Sequence, residues 1–195
     1  MDIDGSTPGA DSTSNPTAGW RQGTDLWLFA YGSLMWNPGF RHAEARTARL
    51  FGHHRAMCIL SYRWRGTPER PGLVMGLEPG GSCRGRAFRV EAPDVPGVMA
   101  EVYAREMPTG VYIPRFLPVV LDDGRRVEAW AFVARRGHPQ YLARPAPARA
   151  AALIRQGRGE AGPCRDYLAN TIDQLDAMGL GDRSLRRLLA LVDAG

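Results

Sequence analysis

Two features of the sequence carry residue types from which chemistry could be built. The first is a carboxylate where the pattern asks for an apolar side chain. The segment Val98-Met99-Ala100-Glu101-Val102-Tyr103-Ala104-Arg105-Glu106-Met107 stops at Pro108. Because the residue before a proline is pushed out of helical geometry, the spacing predicts a short helix that ends there. At about 100° per residue, Val98, Met99, Val102 and Tyr103 form one apolar arc, and Glu106 projects into its middle. Glu101 lies off that arc and can pair with Arg105 four positions on. Desolvation would raise the Glu106 pKa above the reference of about 4.3, toward the range useful for moving protons near neutral pH. The competing reading is a carboxylate at a helix end that frays toward water or is held by a nearby arginine.

The second feature is Tyr31-Gly32-Ser33-Leu34, directly after the apolar run Leu26-Trp27-Leu28-Phe29-Ala30. A Gly-Ser turn at a strand end can aim several backbone N–H groups at one point, making a seat for a carboxylate or phosphate without a positive side chain. An ordinary strand-ending turn uses the same residues. An anion seat and a desolvated acid in one chain make a more specific pair than either does alone.

These residues need elements to hold them. Leu26 to Tyr31 is expected as the first strand, and further strands are expected at Arg55 to Tyr62, Gly72 to Leu77, Arg84 to Glu91, Arg115 to Leu121 and Val127 to Ala134, separated by Gly- and Pro-rich punctuation. Asp123-Gly124 is a strong hairpin signal between the last two. Apolar residues at spacings of three and four, such as Leu185, Leu188, Leu189 and Val192, predict helices over about 146–156, 164–178 and 183–193. Strands in the middle and helices at the end argue for an α+β fold with an antiparallel sheet that could close into a barrel. Residues 1–24, rich in Gly, Ser, Thr, Pro and Asp, are expected to form a disordered N-terminal tail, leaving 25–195 as a single domain.

Composition narrows the chemistry further. The 195 residues are 44% hydrophobic and 23% charged, with a formal net charge of +5, as suits one globular domain. All 25 basic side chains are arginine. Without lysine there is no Schiff-base catalysis and no phosphate loop of the kind that needs a Lys. Cys58, Cys83 and Cys164 are odd in number and far apart, which leaves neither a disulfide framework nor a CxxC knuckle and fits a reducing cytoplasm. The four histidines form no HExxH or HxH cluster, so no metal is expected. The pI of 9.6 raises the question of nucleic acid, but the arginines are dispersed among acids instead of forming a block, and solvated charge is the expectation. No apolar run approaches the roughly 18 residues of a membrane span, and no secretory signal opens the chain.

The motifs, taken in order, resemble those of the γ-glutamylcyclotransferases, and within them the ChaC-like, glutathione-specific branch. The resemblance rests on Phe29-Ala30-Tyr31-Gly32-Ser33-Leu34-Met35-Trp36-Asn37-Pro38-Gly39-Phe40, on Trp64-Arg65-Gly66 with Pro71-Gly72, on Gly81-Ser82-Cys83-Arg84-Gly85-Arg86-Ala87-Phe88-Arg89-Val90, on Arg105-Glu106-Met107 followed by Tyr112, and on Pro139-Gln140-Tyr141-Leu142. It spans about Leu26 to Leu180. It implies a small antiparallel or mixed β-barrel with flanking helices and a helical C-terminus, and a cofactor-free enzyme that cleaves glutathione to 5-oxoproline and cysteinylglycine. In that reaction the substrate's own α-amino group attacks its γ-carbonyl, so no protein nucleophile is required.

By the same resemblance Glu106 moves the proton and Tyr31, Gly32, Ser33 and Leu34 hold the γ-glutamyl group. Tyr112 and Tyr141 are candidate phenols near the developing oxyanion, with aromatic core packing as their alternative. Arg65 is a candidate for the glycine carboxylate of glutathione, with an exposed loop arginine as its alternative. Three positions depart from the branch's usual pattern: Trp64 where His-Arg-Gly begins, Leu73 where an arginine follows Pro-Gly, and Cys164 where an asparagine is usual. The departures leave other γ-glutamyl amines or amino acids open as substrates. A non-catalytic module binding a γ-glutamyl metabolite or nucleic acid is the remaining alternative.

Overall fold

The computed structural model describes residues 16–195. At its centre is β1 (Leu26–Ala30), five consecutive buried residues. An unbroken apolar run suits a strand with both faces covered, and β1 is such a strand. It pairs antiparallel with β3 (Gly72–Val90), from Leu26 opposite Val90 to Ala30 opposite Arg86, and parallel with β5 (Arg126–Ala134), with Trp27 opposite Ala129. Strands β2 (Glu44–Ser61) and β4 (Tyr112–Leu121) complete a closed barrel in the order β1-β3-β2-β4-β5. The barrel is therefore mixed, and its parallel seam runs along β5, which pairs with β1 and, at Leu77 opposite Val133, with β3. The hairpin expected at Asp123-Gly124 joins β4 to β5, with the Gly124 N–H donating to the Leu121 carbonyl at 3.0 Å.

The structure corrects two strand assignments: the strand expected at Arg55 to Tyr62 begins eleven residues earlier and is β2, Glu44–Ser61. The segments expected separately at 72–77 and 84–91 are a single 19-residue strand, β3, paired along its length with the 18-residue β2. The Gly80-Gly81 pair reads in sequence as a turn, but here it bends a continuous strand. Gly80 and Gly81 adopt φ of 99° and 69°, and across the ladder Gly52, at φ of 80°, sits at the register shift between Phe51 and His53. A bulge of this kind bends a strand and increases its twist, which lets so long a hairpin wrap into a barrel wall.

Helix α1 (Val95–Glu106) crosses from β3 to β4 and buries Val95, Val98, Met99 and Val102. It begins three residues earlier than the sequence pattern suggested because a proline in the first turn, where its missing N–H costs nothing, starts a helix well. Helices α2 (Pro147–Gln156), α3 (Cys164–Ala177) and α4 (Arg183–Asp193) pack together at the C-terminus, close to their expected spans. Asp182 caps α4 by accepting the Ser184 and Leu185 N–H groups. Before α3, a small hairpin of β6 (Arg158–Gly159) and β7 (Gly162–Pro163) pins the loop after β2: Glu160 and Ala161 donate their N–H groups to the carbonyls of Arg63 and Trp64, both at 2.9 Å. Two-residue strands carry no periodic signal, and the sequence did not disclose this hairpin.

The tail expected at 1–24 lies outside the described residues up to position 15. Residues 16–24 form turns, and Trp20 packs against the core while its indole N–H donates to the Thr24 carbonyl at 3.0 Å. Among the described residues, no helix is long and apolar enough to cross a membrane.

The barrel wall sets a steric test. A Cβ on Gly85 would stand 2.2 Å from the Ala30 carbonyl oxygen and 2.9 Å from Cζ of Phe29, both on β1. Gly85→Ala is expected to destabilise the fold by about 1–3 kcal/mol, the usual range for overpacking. Gly97→Ala, in α1 with nothing within 4 Å of the added carbon, should stabilise by about 0.5–1 kcal/mol. Chemical denaturation of both variants checks the pair, and equal effects would mean that the β1–β3 contact yields freely.

Candidate active site

Where β1 ends, the chain leaves the barrel wall through Tyr31 and Gly32 and makes one 3-10 turn at Ser33–Met35. The turn is closed by the Met35 N–H donating to the Gly32 carbonyl at 2.9 Å and the Asn37 N–H donating to the Ser33 carbonyl at 2.9 Å. The N–H groups of Gly32, Ser33 and Leu34 precede these bonds, as the first donors of any helical turn do, and among the described residues they have no protein acceptor. The loop borders a cavity of about 730 Å³, within the size range of small-molecule sites.

Seven of the eight residues singled out in the sequence line this cavity: Tyr31, Gly32, Ser33, Leu34, Arg65, Glu106 and Tyr112. Tyr141 is the exception. It does not line the cavity, and its hydroxyl donates to the Glu78 carboxylate. That is the hydrogen-bonded packing role left open for it.

Glu106 is the last residue of α1, and its side chain keeps 19% exposure. It is thus largely withdrawn from water while still reaching the cavity. Burial pushes its pKa above the ordinary carboxylate value, and Arg105, with Nε 3.3 Å from Oε1, acts more weakly in the opposite direction. Arg105 also donates from Nη1 to the Asn37 carbonyl at 2.7 Å and from Nη2 to Ser33 Oγ at 3.1 Å. One guanidinium therefore ties the end of α1 to the loop and fixes the acid relative to the loop N–H groups. The sequence places Arg105 as a partner for Glu101; its contacts in the fold are Glu106 and the loop.

Three buried phenols surround the site, and their hydrogen bonds distinguish them. Tyr31 O–H donates to the Phe132 carbonyl at 2.7 Å, and Tyr112 O–H donates to the Met75 carbonyl at 2.7 Å. Each has spent its proton inside the protein and can offer the cavity only an acceptor. Tyr167, on α3, instead accepts the Met75 N–H at 3.4 Å and keeps its own proton available. Burial, reinforced by the Glu106 charge, holds all three phenols above their ordinary pKa, so they are neutral near pH 7. The sequence reading missed Tyr167. Its only signal was a tyrosine on the apolar face of a C-terminal helix, indistinguishable from a core residue. A Cβ on Gly32 would stand 3.1 Å from its hydroxyl, a contact that a larger residue would keep only if the phenol moved by a few tenths of an ångström.

Arg65 is half-buried in the cavity wall. Its Nη1 donates to the Pro163 carbonyl at 3.1 Å, and its guanidinium lies over the Tyr167 ring at 5.6 Å. Trp64 and Tyr62 line the same cavity and remain 46% and 37% exposed. Two of the three unusual positions meet away from this rim: the Leu73 N–H donates to Cys164 Sγ at 3.3 Å, and the thiol donates back to the Leu73 carbonyl at 3.0 Å. Burial pushes that thiol up to about 11, so its place at the start of α3 does not activate it. Among the described residues, no three His, Cys, Asp or Glu side chains stand together as a metal site.

The family described as ChaC-like protein matches residues 26–195. The chain belongs to that family. It is 36% identical to a glutathione-specific γ-glutamylcyclotransferase of Escherichia coli K12 over 167 residues, covering 86% of this chain and 72% of that protein. It is 32% identical to the human glutathione-specific γ-glutamylcyclotransferase 1 over 175 residues, covering 87% and 78%. The crystal structure of a yeast γ-glutamyl cyclotransferase specific to glutathione superposes with a TM-score of 0.81 at 19% identity, covering 88% of this chain and 96% of that one. That likeness confirms the mixed barrel with helical C-terminus as the fold.

The opposed influences of burial and Arg105 on this ChaC-like chain's Glu106 can be separated. Carboxyl-carbon NMR of Glu106 should show a titration midpoint above that of an ordinary glutamate, and Arg105→Gln should move it higher still, since an opposing positive charge is lost. A midpoint that stays or falls in Arg105→Gln would show that the guanidinium does not act on this carboxylate.

Proposed function

We propose that this chain is a glutathione-specific γ-glutamylcyclotransferase whose single catalytic domain, 25–195, works without metal or cofactor. The observation that carries the reading is a largely buried carboxylate, Glu106, tied by one arginine to a loop with three unpaired N–H groups on the same cavity. The loop N–H groups of Gly32, Ser33 and Leu34 receive the α-carboxylate of the γ-glutamyl group. Tyr31 and Tyr112, whose oxygens only accept, face the substrate's α-amino group. Tyr167 is the phenol with a proton to donate and stabilises the oxyanion as it forms. Arg65, at the wall toward Pro163, serves the carboxylate at the far end of glutathione.

Proton bookkeeping then requires one side chain. The α-amino group, with a pKa of about 8, is mostly protonated at neutral pH and cannot attack. Glu106 as carboxylate takes its proton. The freed nitrogen attacks the γ-carbonyl, and a new C–N bond closes the five-membered ring. Glu106 returns that proton to the departing nitrogen as the old C–N bond breaks, and then carries to the same nitrogen the second proton that the attacking nitrogen loses on becoming the lactam N–H, giving 5-oxoproline and cysteinylglycine as its ammonium form with no water consumed. A pKa raised by burial suits a group that must both accept and donate near neutrality. The exposed aromatic pair Tyr62 and Trp64 favours a second reading, in which the leaving half is a different amine or amino acid. The buried free thiols Cys58, Cys83 and Cys164 suit a reducing cytoplasmic setting.

Incubation with reduced glutathione in EDTA-containing buffer should yield 5-oxoproline and cysteinylglycine in equal amounts by mass spectrometry. A panel of γ-glutamyl amines and amino acids decides the second reading, and silence across the panel would refute catalysis. Glu106→Gln should lower turnover by about 10²–10⁴-fold. The same variant should be as stable as the parent or more so at pH 7. Glu106 has a raised folded pKa, so its contribution is most favourable below the unfolded value of about 4.3 and declines as pH rises through the folded one. A variant that keeps most of its turnover would remove Glu106 from the mechanism.

A further inference from the structure

Arg55, on β2, lies outside the cavity lining, and none of the steps above uses it. Its side chain is 5% exposed, a rare degree of burial for an arginine. In the strand register it stands opposite Leu77, yet its guanidinium reaches past that position to four other groups, one of them Met35 Sδ at 3.9 Å from Nη2. Nε donates to the Tyr31 carbonyl at 2.6 Å, Nη2 donates to the Arg84 carbonyl at 2.6 Å, and Nη1 lies 3.8 Å from Oδ2 of Asp182. These contacts join the first residue of the loop, the barrel wall and the cap of α4.

The bond to Tyr31 has a geometric consequence. In a planar trans peptide the carbonyl and the following N–H point in opposite directions. Drawing the Tyr31 carbonyl toward Arg55 turns the Gly32 N–H away from it, and that N–H is one of the three without a protein acceptor. Asp182 divides its oxygens between two tasks: Oδ1 takes the cap bonds from Ser184 and Leu185, and Oδ2 faces Arg55.

We propose that Arg55 is a positioning residue for the γ-glutamyl loop, setting the Tyr31–Gly32 peptide plane so that the Gly32 N–H meets the substrate carboxylate, with Asp182 holding the guanidinium in place. This rests on the function proposed above. The C-terminal helix then reports directly on the substrate loop.

Two substitutions test it. Arg55→Lys keeps the charge but loses the planar fork that reaches two carbonyls. Asp182→Asn keeps the cap, because asparagine caps as well as aspartate, and removes only the charge facing Arg55. Glutathione affinity is measured by calorimetry in a Glu106→Gln background, alongside Tm and the amide NMR signals of Gly32 and Ser33. Arg55→Lys should weaken glutathione binding by about tenfold or more, the scale of one charge-assisted hydrogen bond, and shift both amide signals. Asp182→Asn should weaken binding by a smaller factor with Tm unchanged, a result that a merely structural role would not give. A lower Tm with unchanged affinity in either variant overturns the proposal, as do unmoved amide signals. Shifted amides in a protein that neither binds nor converts glutathione would instead overturn the substrate assignment while leaving Arg55 as the residue that orients the loop.

Discussion

The site depends on keeping one carboxylate out of water without giving it a complete counter-charge. An ion pair with full access to Glu106 would restore an ordinary acid, and complete isolation would hold it neutral and unable to take a proton. The structure sits between these limits. Arg105 approaches Glu106 from the neighbouring position on α1, yet it also donates to Ser33 and the Asn37 carbonyl. A guanidinium shared in this way gives less of its charge to any one partner. The placement of Glu106 at the helix end also requires α1 to be anchored elsewhere, by Val95, Val98, Met99 and Val102 in the core.

The second constraint is hydrogen-bond capacity. Around the cavity, Met75 offers both backbone groups to phenols: its carbonyl receives Tyr112 and its N–H meets Tyr167. One residue on β3 therefore makes Tyr112 an acceptor toward the cavity and leaves Tyr167 a donor. The difference follows from backbone direction alone, since two tyrosines have the same side-chain chemistry. It requires β3 to place Met75 where each of its backbone groups meets one phenol.

What could be read from the sequence was what local spacing encodes. The strand-loop step at Tyr31-Gly32 and the apolar arc around Glu106 are each contained in a dozen residues, and both appear in the fold where the pattern placed them. The single strand β3 was not legible, because a glycine pair that ends a strand and one that bends it look alike until the partner strand, with Gly52 opposite, is known. Tyr167 was hidden because its role depends on a contact with Met75, 92 positions away. Tyr141 shows the converse: a tyrosine in a recognisable motif whose hydroxyl is taken by Glu78, a partner invisible at the level of motifs. Arg65 likewise could be weighed only as an average arginine until its bond to Pro163 and its stacking on Tyr167 set it in the wall.

These constraints suit a reaction in which the substrate carries its own nucleophile. Intramolecular attack within a well-oriented reactant reaches effective molarities on the order of 10⁵–10⁸ M, so most of the work falls to holding the γ-glutamyl chain folded back on itself. That work belongs to parts that resist motion: a 3-10 turn closed by its own backbone bonds, a glycine pressed against the Tyr167 hydroxyl, and arginines gripping the loop from two sides. Arg105 reaches it from α1 and Arg55 from β2, and neither needs to touch the reacting atoms. A loop carrying the same four residues without those two guanidinium groups would still present N–H donors, but across a spread of orientations. The rate advantage of a preorganised site would be lost in proportion to that spread.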